Sequence, residues 1–288
     1  MSAAVEIACD ESGFSGTNLL DPASPVITHA SVDLDVPAAA ELIGVLGHRR
    51  RSEYKSNQLL RPEQRPALEW LLEELRGHAH VHLIDKTAYV AARVLELFTE
   101  EPSYGWGTSF GTDHSGVVDL LRHRTAFLAA FVDLTRTKRV RLMDHAAVDR
   151  FFATMPTDVP ALRALTRARV ELVMQRLIDE DPELPPPLEP LVPALAATVL
   201  HWSAGGRSLA VVHDEQSALT PGRVARLGAF LAARVHPPPL RSFVQVDSRD
   251  DPRVQVADFL AGIARRRTPD LDVLLEPYTC AATNSSQV

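Results

Sequence analysis

The chain has 288 residues, enough for one large α/β domain or one domain with a sizeable insertion. Hydrophobic residues make up 45% and charged residues 23%, the balance of an ordinary globular protein, and no apolar run reaches the length of a membrane span, so no membrane partner is expected. The formal net charge of -7 argues against a nucleic-acid coat protein, which would be basic, but not against a nuclease, which carries its own acidic metal site.

Val5 to Gly13 reads as a first strand in which apolar residues lead into Asp10-Glu11 and then a Ser-Gly turn. Two like charges beside a core raise each other's pKa unless something cationic neutralises them, and a divalent cation is the simplest neutraliser at a strand end. The same residues also suit an ordinary turn, because Asp and Ser favour turns. Cys9 lies within this strand as a buried, reduced thiol. With only Cys280 beside it there is no disulfide framework, and no basic stretch followed by an apolar core opens the chain, so a reducing cytoplasm is expected.

Pro25 to Asp33 is β-branched and pairs with the first strand as a hairpin. Pro37 opens a short helix over 38–47, with Gly47 at its end. The basic run His48-Arg49-Arg50-Arg51 and then Glu53-Tyr54-Lys55-Ser56 follow. A helix is expected over 62–75, with Leu68, Leu71, Leu72 and Leu75 at helical spacing and Gly77 past its end. His78 to Lys86 reads as a strand whose His78, His80 and His82 share one face at period two. That face is either the polar side of an edge strand or a partial zinc site. A helix over 87–100 comes next.

Pro102 to Gly116 is rich in glycine and aromatics and cannot be a regular helix. It is either a substrate-contacting loop, whose aromatics could stack on bases, or a plain connection. Amphipathic helices are expected over 117–135, 146–155, 159–178 and 195–202, broken by the proline-rich stretch 182–193. The organisation expected is one domain over 1–288, with a mainly helical insertion at about 102–205. Ser208 to Glu215 then repeats the opening theme, an apolar strand ending in Asp214-Glu215. A helix over 221–235, with Thr220 as cap and Pro221 at its first position, leads to a strand over 240–246 followed by Asp247. The helix expected over 254–267 carries Gln255 and Asp258 among apolar neighbours, where a carboxylate faces a partner charge or a metal rather than the core.

Asp10 and Asp214 each end a strand, Glu53 follows the first helix, and Asp258 lies on the last helix expected. Parallel α/β sheets place their sites at the carboxyl ends of strands, so these four acids can meet there. Four carboxylates suit two hard cations, Mg2+ or Mn2+, ~4 Å apart, which activate water and stabilise the leaving oxygen in phosphodiester hydrolysis. Only Lys55, Lys86 and Lys138 occur among 30 basic residues, and Lys55 is placed to neutralise a scissile phosphate or orient the nucleophile. Arg136 to Arg141 and Arg265 to Arg267 form further basic patches. Alternation along the strand sends Glu11 to the side opposite Asp10, which makes it a supporting acid, and Glu215 echoes it on the late strand.

Asp10-Glu11-Ser12-Gly13, Glu53-Tyr54-Lys55-Ser56, Ile84-Asp85-Lys86, Val212-His213-Asp214-Glu215 and Val254 to Gly262 resemble, in that order, the motif series of the bacterial family called domain of unknown function 3800. The resemblance covers nearly the whole chain. It implies a ribonuclease-H-like mixed sheet flanked by helices with the acids at its centre, a divalent metal and nuclease activity on nucleic acid. In ribonuclease-H-like folds the third acid ends a strand soon after the first helix, so Asp85 competes with Asp214. Asp214 is preferred, because its strand is more apolar and its Asp-Glu pair mirrors the first; Asp85-Lys86 then forms a local ion pair. Two other classes stay open, a ribonuclease-H-like binding module without catalysis and a small-molecule phosphohydrolase. The absence of a glycine-rich phosphate loop argues against an NTPase.

Overall fold

The computed structural model describes residues 4–14, 16, 18–47, 56–136 and 142–279. The chain folds as two compact units, one formed by Met1–Phe14, Val26–Leu83 and Ala194–Val288, the other by Ser15–Pro25 and Ile84–Pro193.

The first unit is built on a five-stranded mixed sheet flanked by helices, compatible with the expected ribonuclease-H-like α/β fold. Its strands are β1 (Val5–Ser12), β2 (Val26–Val32), β3 (Ala79–Asp85), β4 (Leu209–Asp214) and β5 (Leu240–Val246), in the spatial order β3-β2-β1-β4-β5. β1 and β2 form the expected antiparallel pair, from Ala8 opposite Val32 to Ser12 opposite Thr28. β4 runs parallel to both β1 and β5. The turn after β1 depends on Gly13, which has φ +94°; a Cβ there would stand 2.5 Å from the Val26 carbonyl oxygen.

Alternation divides the sheet into two faces. Ala8, Ala30, Val32, Val81 and Val212 join one apolar core with α1 (Val36–Val45), α3 (Arg65–Glu74), α11 (Pro252–Ala264) and α12 (Pro269–Leu275). α1 starts where expected, with Asp35 accepting from the Ala38 amide at 2.8 Å and Pro37 in its first turn. Among these helices α11 is buried along most of its length. Its Gly262 lies so close to α2 (Ser56–Leu59) that a Cβ would collide with the Ser56 side chain.

The other face sets a buried polar layer among apolar residues such as Ile7, Cys9, Ile27 and Val211. His29, Ser31, His80 and His213 are buried, beneath the later residues of α9 (Leu191–Trp202). Trp202 Nε1 donates to Ser31 Oγ at 2.8 Å, and the His80 ring stacks on His201 with centroids 3.7 Å apart. β3 is an edge strand, yet His80 does not form the solvated polar face expected of it: it is 4% exposed. The alternation was legible; that a second layer covers this side of the edge was not.

The second unit contains α4 (Lys86–Thr99), α5 (Ser115–Leu121), α6 (Thr125–Thr135), α7 (His145–Thr154), α8 (Arg167–Ile178) and the first residues of α9. The helix expected over 117–135 is two helices, because Arg124 leaves helical geometry (φ -91°, ψ 61°) before α6 begins. The one expected over 159–178 becomes a 3-10 turn at Pro160–Leu162 and then α8, capped by Thr166. Local capping outweighed hydrophobic spacing there. Phe98, Phe127, Phe131 and Phe151 form an aromatic core. Beside it Arg93, 2% exposed, pairs with Glu96 and lies 5.1 and 5.2 Å from the Tyr89 and Trp106 rings. Glu96 also accepts from the Gly107 amide at 3.1 Å, which ties the 102–116 stretch to α4. Tyr104 and Trp106 are therefore buried and cannot stack on a base; Phe110, 40% exposed, is the aromatic of this stretch that faces solvent.

Among the described residues no helix is long and apolar enough to cross a membrane.

Burial pushes the buried imidazoles down, His80 to about 3 and His213 to about 4, with His29 well below its usual value. Between those values and ~6.5 the unfolded chain binds protons that the folded chain refuses. Stability therefore falls as pH drops from ~6.5 toward 4, by up to ~1.4 kcal/mol per pH unit for each such histidine. Urea unfolding of Asp10→Asn, which removes the opposite-sense titration of that raised carboxyl, should show this loss at pH 7, 6 and 5; equal midpoints across the series would contradict neutral buried histidines.

Candidate functional site

The last registered pair between the parallel strands β1 and β4 is Cys9 with His213. The next residue on each strand is an aspartate, so Asp10 and Asp214 emerge side by side at the carboxyl ends of neighbouring strands. Both lie on the α11 face of the sheet, as do Ala8 and Val212 two residues earlier. α11 packs across β1 and β2 and is fixed there by the buried Thr28 hydroxyl, which donates to the Ala261 carbonyl oxygen at 2.7 Å. Asp258 stands one turn before Ala261 on that helix and is half-buried.

The electrostatics report the same convergence. Asp10 is 6% exposed, and its carboxyl is pushed up to about 9, first by burial and then by repulsion from Glu11, Asp258 and Asp214. The Glu11 amide donates to Asp10 Oδ1 at 2.6 Å and opposes that rise. Glu11 is also shifted up, by burial and by Asp214, while Gln216 Nε2 donates to its Oε1 at 2.6 Å. Glu11 stays in the ladder opposite His29, yet as the next residue on the strand it is close enough for its charge to act on Asp10. Asp214 Oδ1 accepts from the Ser248 amide at 2.9 Å. Gln216 and Ser248 were not singled out from the sequence; the signal for Gln216 was its place directly after the Asp-Glu pair.

The other expected site residues divide clearly. Glu53 and Lys55 lie outside the described residues. Asp85 is used within the second unit: it caps α4 by accepting from the Ala88 amide at 2.8 Å and pairs with Arg122 at 2.8 Å. Lys86 is 1% exposed and its Nζ donates to Ser24 Oγ at 3.1 Å. Glu215 is exposed, and its amide continues the β4–β5 ladder by donating to the Val246 carbonyl oxygen at 3.0 Å. Asp247 is held low by the Arg249 guanidinium that chelates it. Gln255 is half-buried on α11, three residues before Asp258 and so on the same side of the helix.

The donor set suits a hard divalent cation, since carboxylate oxygens are its preferred ligands and a positive charge would offset the mutual repulsion at Asp10. Among the described residues, however, no group of three or more His, Cys, Asp or Glu is arranged to hold a metal ion. The carboxylates are gathered within electrostatic range, not closed into a ligand shell.

Comparison with protein-family models, with curated proteins and with solved structures returns no match.

Asp10 generates a test. Its folded-state carboxyl titrates at about 9 and an unfolded one at ~3.9, so between these values the folded chain keeps a proton that the unfolded chain has released. Stability is then lost as pH rises through the window, by at most ~1.4 kcal/mol per pH unit. In the presence of a chelator, Asp10→Asn should gain on the wild type in denaturant unfolding as pH goes from 6.5 to 8.5. A difference between the two proteins that does not change with pH would show that Asp10 titrates normally.

Proposed function

We propose that the chain is a divalent-metal-dependent nuclease that hydrolyses phosphodiester bonds by a two-metal mechanism, belongs to the domain of unknown function 3800 family, and works in the cytoplasm. The observation that carries this reading is the side-by-side emergence of Asp10 and Asp214 from adjacent parallel strands, with Asp258 supplied by the helix packed over β1. The free, buried thiol of Cys9 suits a reducing compartment.

In this reading Asp10, Asp214 and Asp258 hold Mg2+ or Mn2+, with Glu53 as the fourth acid and Lys55 against the scissile phosphate. When bound, the metals supply an activated water and stabilise the leaving oxygen. The chain's own contribution is orientation. The Glu11 amide fixes one oxygen of Asp10 and the Ser248 amide fixes one oxygen of Asp214, so each carboxylate presents its remaining oxygen in a set direction. Gln216 holds Glu11, a neighbouring acid that deepens the negative potential at the centre. Nucleic acid is the proposed partner, and the basic patches supply phosphate contacts.

The test is cleavage of single- and double-stranded DNA, RNA and hybrid duplexes with Mg2+ or Mn2+, comparing the wild type with Asp10→Ala and Asp214→Ala. Each substitution should lower turnover by more than ~100-fold, beyond the loss typical of a residue that merely supports a ligand. Wild type and variants behaving alike on every substrate would end the proposal. Turnover confined to phosphomonoesters would identify a phosphohydrolase, and nucleic-acid binding that survives both substitutions without turnover would identify a binding module.

A further inference from the structure

Behind the acidic centre, on the opposite face of the sheet, lies a chain of buried polar side chains that the proposed chemistry does not use. His29 on β2 and His213 on β4 are both 0% exposed, and their Nε2 atoms are 3.1 Å apart. His29 Nδ1 lies 2.8 Å from Thr198 Oγ1 on α9, and His213 Nδ1 lies 2.8 Å from the carbonyl oxygen of Asp214.

One arrangement of protons satisfies every atom in the chain. A carbonyl oxygen can only accept, so His213 Nδ1 carries a proton. A second proton would make this imidazole a buried cation, and among the described residues no carboxylate hydrogen-bonds to either ring, so His213 Nε2 is bare. The contact between the two Nε2 atoms then requires the proton to sit on His29 Nε2. His29 Nδ1 is left bare and accepts from the Thr198 hydroxyl. The direction is unbroken: Thr198 donates to His29, His29 to His213, and His213 to the Asp214 peptide.

We propose that His213 and His29 are positioning residues, which with Thr198 fix the Asp214 peptide and thereby aim the Asp214 carboxylate toward Asp10 on the other side of the sheet. Asp214 is held at its carbonyl oxygen from behind by His213, at one carboxylate oxygen by the Ser248 amide, and across the same peptide by the Glu215 amide, which donates to Val246. Loss of the rear contact leaves the Asp214–Glu215 peptide held by the single bond from the Glu215 amide to Val246, so its plane can tilt about that bond, and leaves the Asp214 carbonyl oxygen without this donor. The consequence for metal affinity rests on the nuclease reading; the proton chain and its hold on the peptide do not.

Long-range 1H–15N correlation spectra of the wild type should show the proton on Nδ1 of His213 and on Nε2 of His29. His29→Phe should loosen the single His213 tautomer and shift the Glu215 amide, whose nitrogen belongs to the same peptide as the Asp214 carbonyl. It should also weaken Mn2+ binding by about tenfold, the scale known for residues that orient metal ligands. His29→Gln, whose amide can donate to His213 and accept from Thr198, should stay close to the wild type. Thr198→Val should give a smaller change in the same direction, and it decides the matter if His29→Phe does not fold. A proton on His213 Nε2, or an unmoved Glu215 amide in both His29→Phe and Thr198→Val, would overturn the proposal, as would a Glu215 shift with Mn2+ affinity unchanged. If the wild type binds no Mn2+, the metal reading fails, while the tautomers and the Glu215 amide still judge the positioning role.

Discussion

The parallel pairing of β1 with β4 is the constraint on which the rest of the first unit depends. It is set by apolar residues: Ile7, Ala8 and Cys9 on one strand, and Leu209, Val211 and Val212 on the other, are buried in the centre of the sheet. Once those residues are in register, the chain has no freedom to separate Asp10 from Asp214. Burial opposes the charge on Asp10, and the neighbouring acids oppose it again. The Glu11 amide offsets part of that cost without cancelling the negative potential. The result is a centre whose charge is held by the hydrophobic core against its own repulsion.

The same core places the third acid. α11 is pinned from several sides: by Thr28 through its Ala261 carbonyl, by the close approach of Gly262 to Ser56, and at its start by Arg253, which pairs with Asp251 and with Glu6 on β1. Arg253 is only 8% exposed, so this ion pair lies close to the packed surface and anchors the helix at one end while Thr28 anchors it near the other. Asp258 sits between those anchors. Its position relative to Asp10 is therefore a property of helix packing, and small changes at Gly262 or Thr28 act on the centre without touching an acid.

Much of this was legible in the chain. The strands β1, β2, β4 and β5 stand where alternation and apolar runs put them, and the three acids at the centre were each marked by a charge set against an apolar background. What was not legible depended on partners distant in sequence. Asp85 also ends a strand, but it is followed at once by a helix, and capping α4 and pairing with Arg122 take its side chain. His80 alternates as a surface residue would, yet His201, far along the chain, stacks on it. Glu11 follows Asp10 and stays in the ladder opposite His29, yet at the end of the strand its charge still acts on Asp10. Periodicity describes an element from within; it carries no information about what covers the element or which distant groups meet at its end.

Asp214 couples the two faces of the sheet. The strand places His213 and Asp214 on opposite sides, one in a neutral, dry layer and the other among acids. An apolar residue at position 213 would pack the dry face at least as favourably, because a buried polar group gains little beyond meeting its own hydrogen-bonding need. Histidine offers something an apolar residue does not: two ring nitrogens in a rigid frame, one accepting from His29 and the other donating to the Asp214 carbonyl. The polar layer is thus best understood by what it orients. Packing energy comes from the aliphatic residues on both sides of the sheet, whereas the histidines convert that rigidity into a fixed peptide plane directly behind the acidic centre.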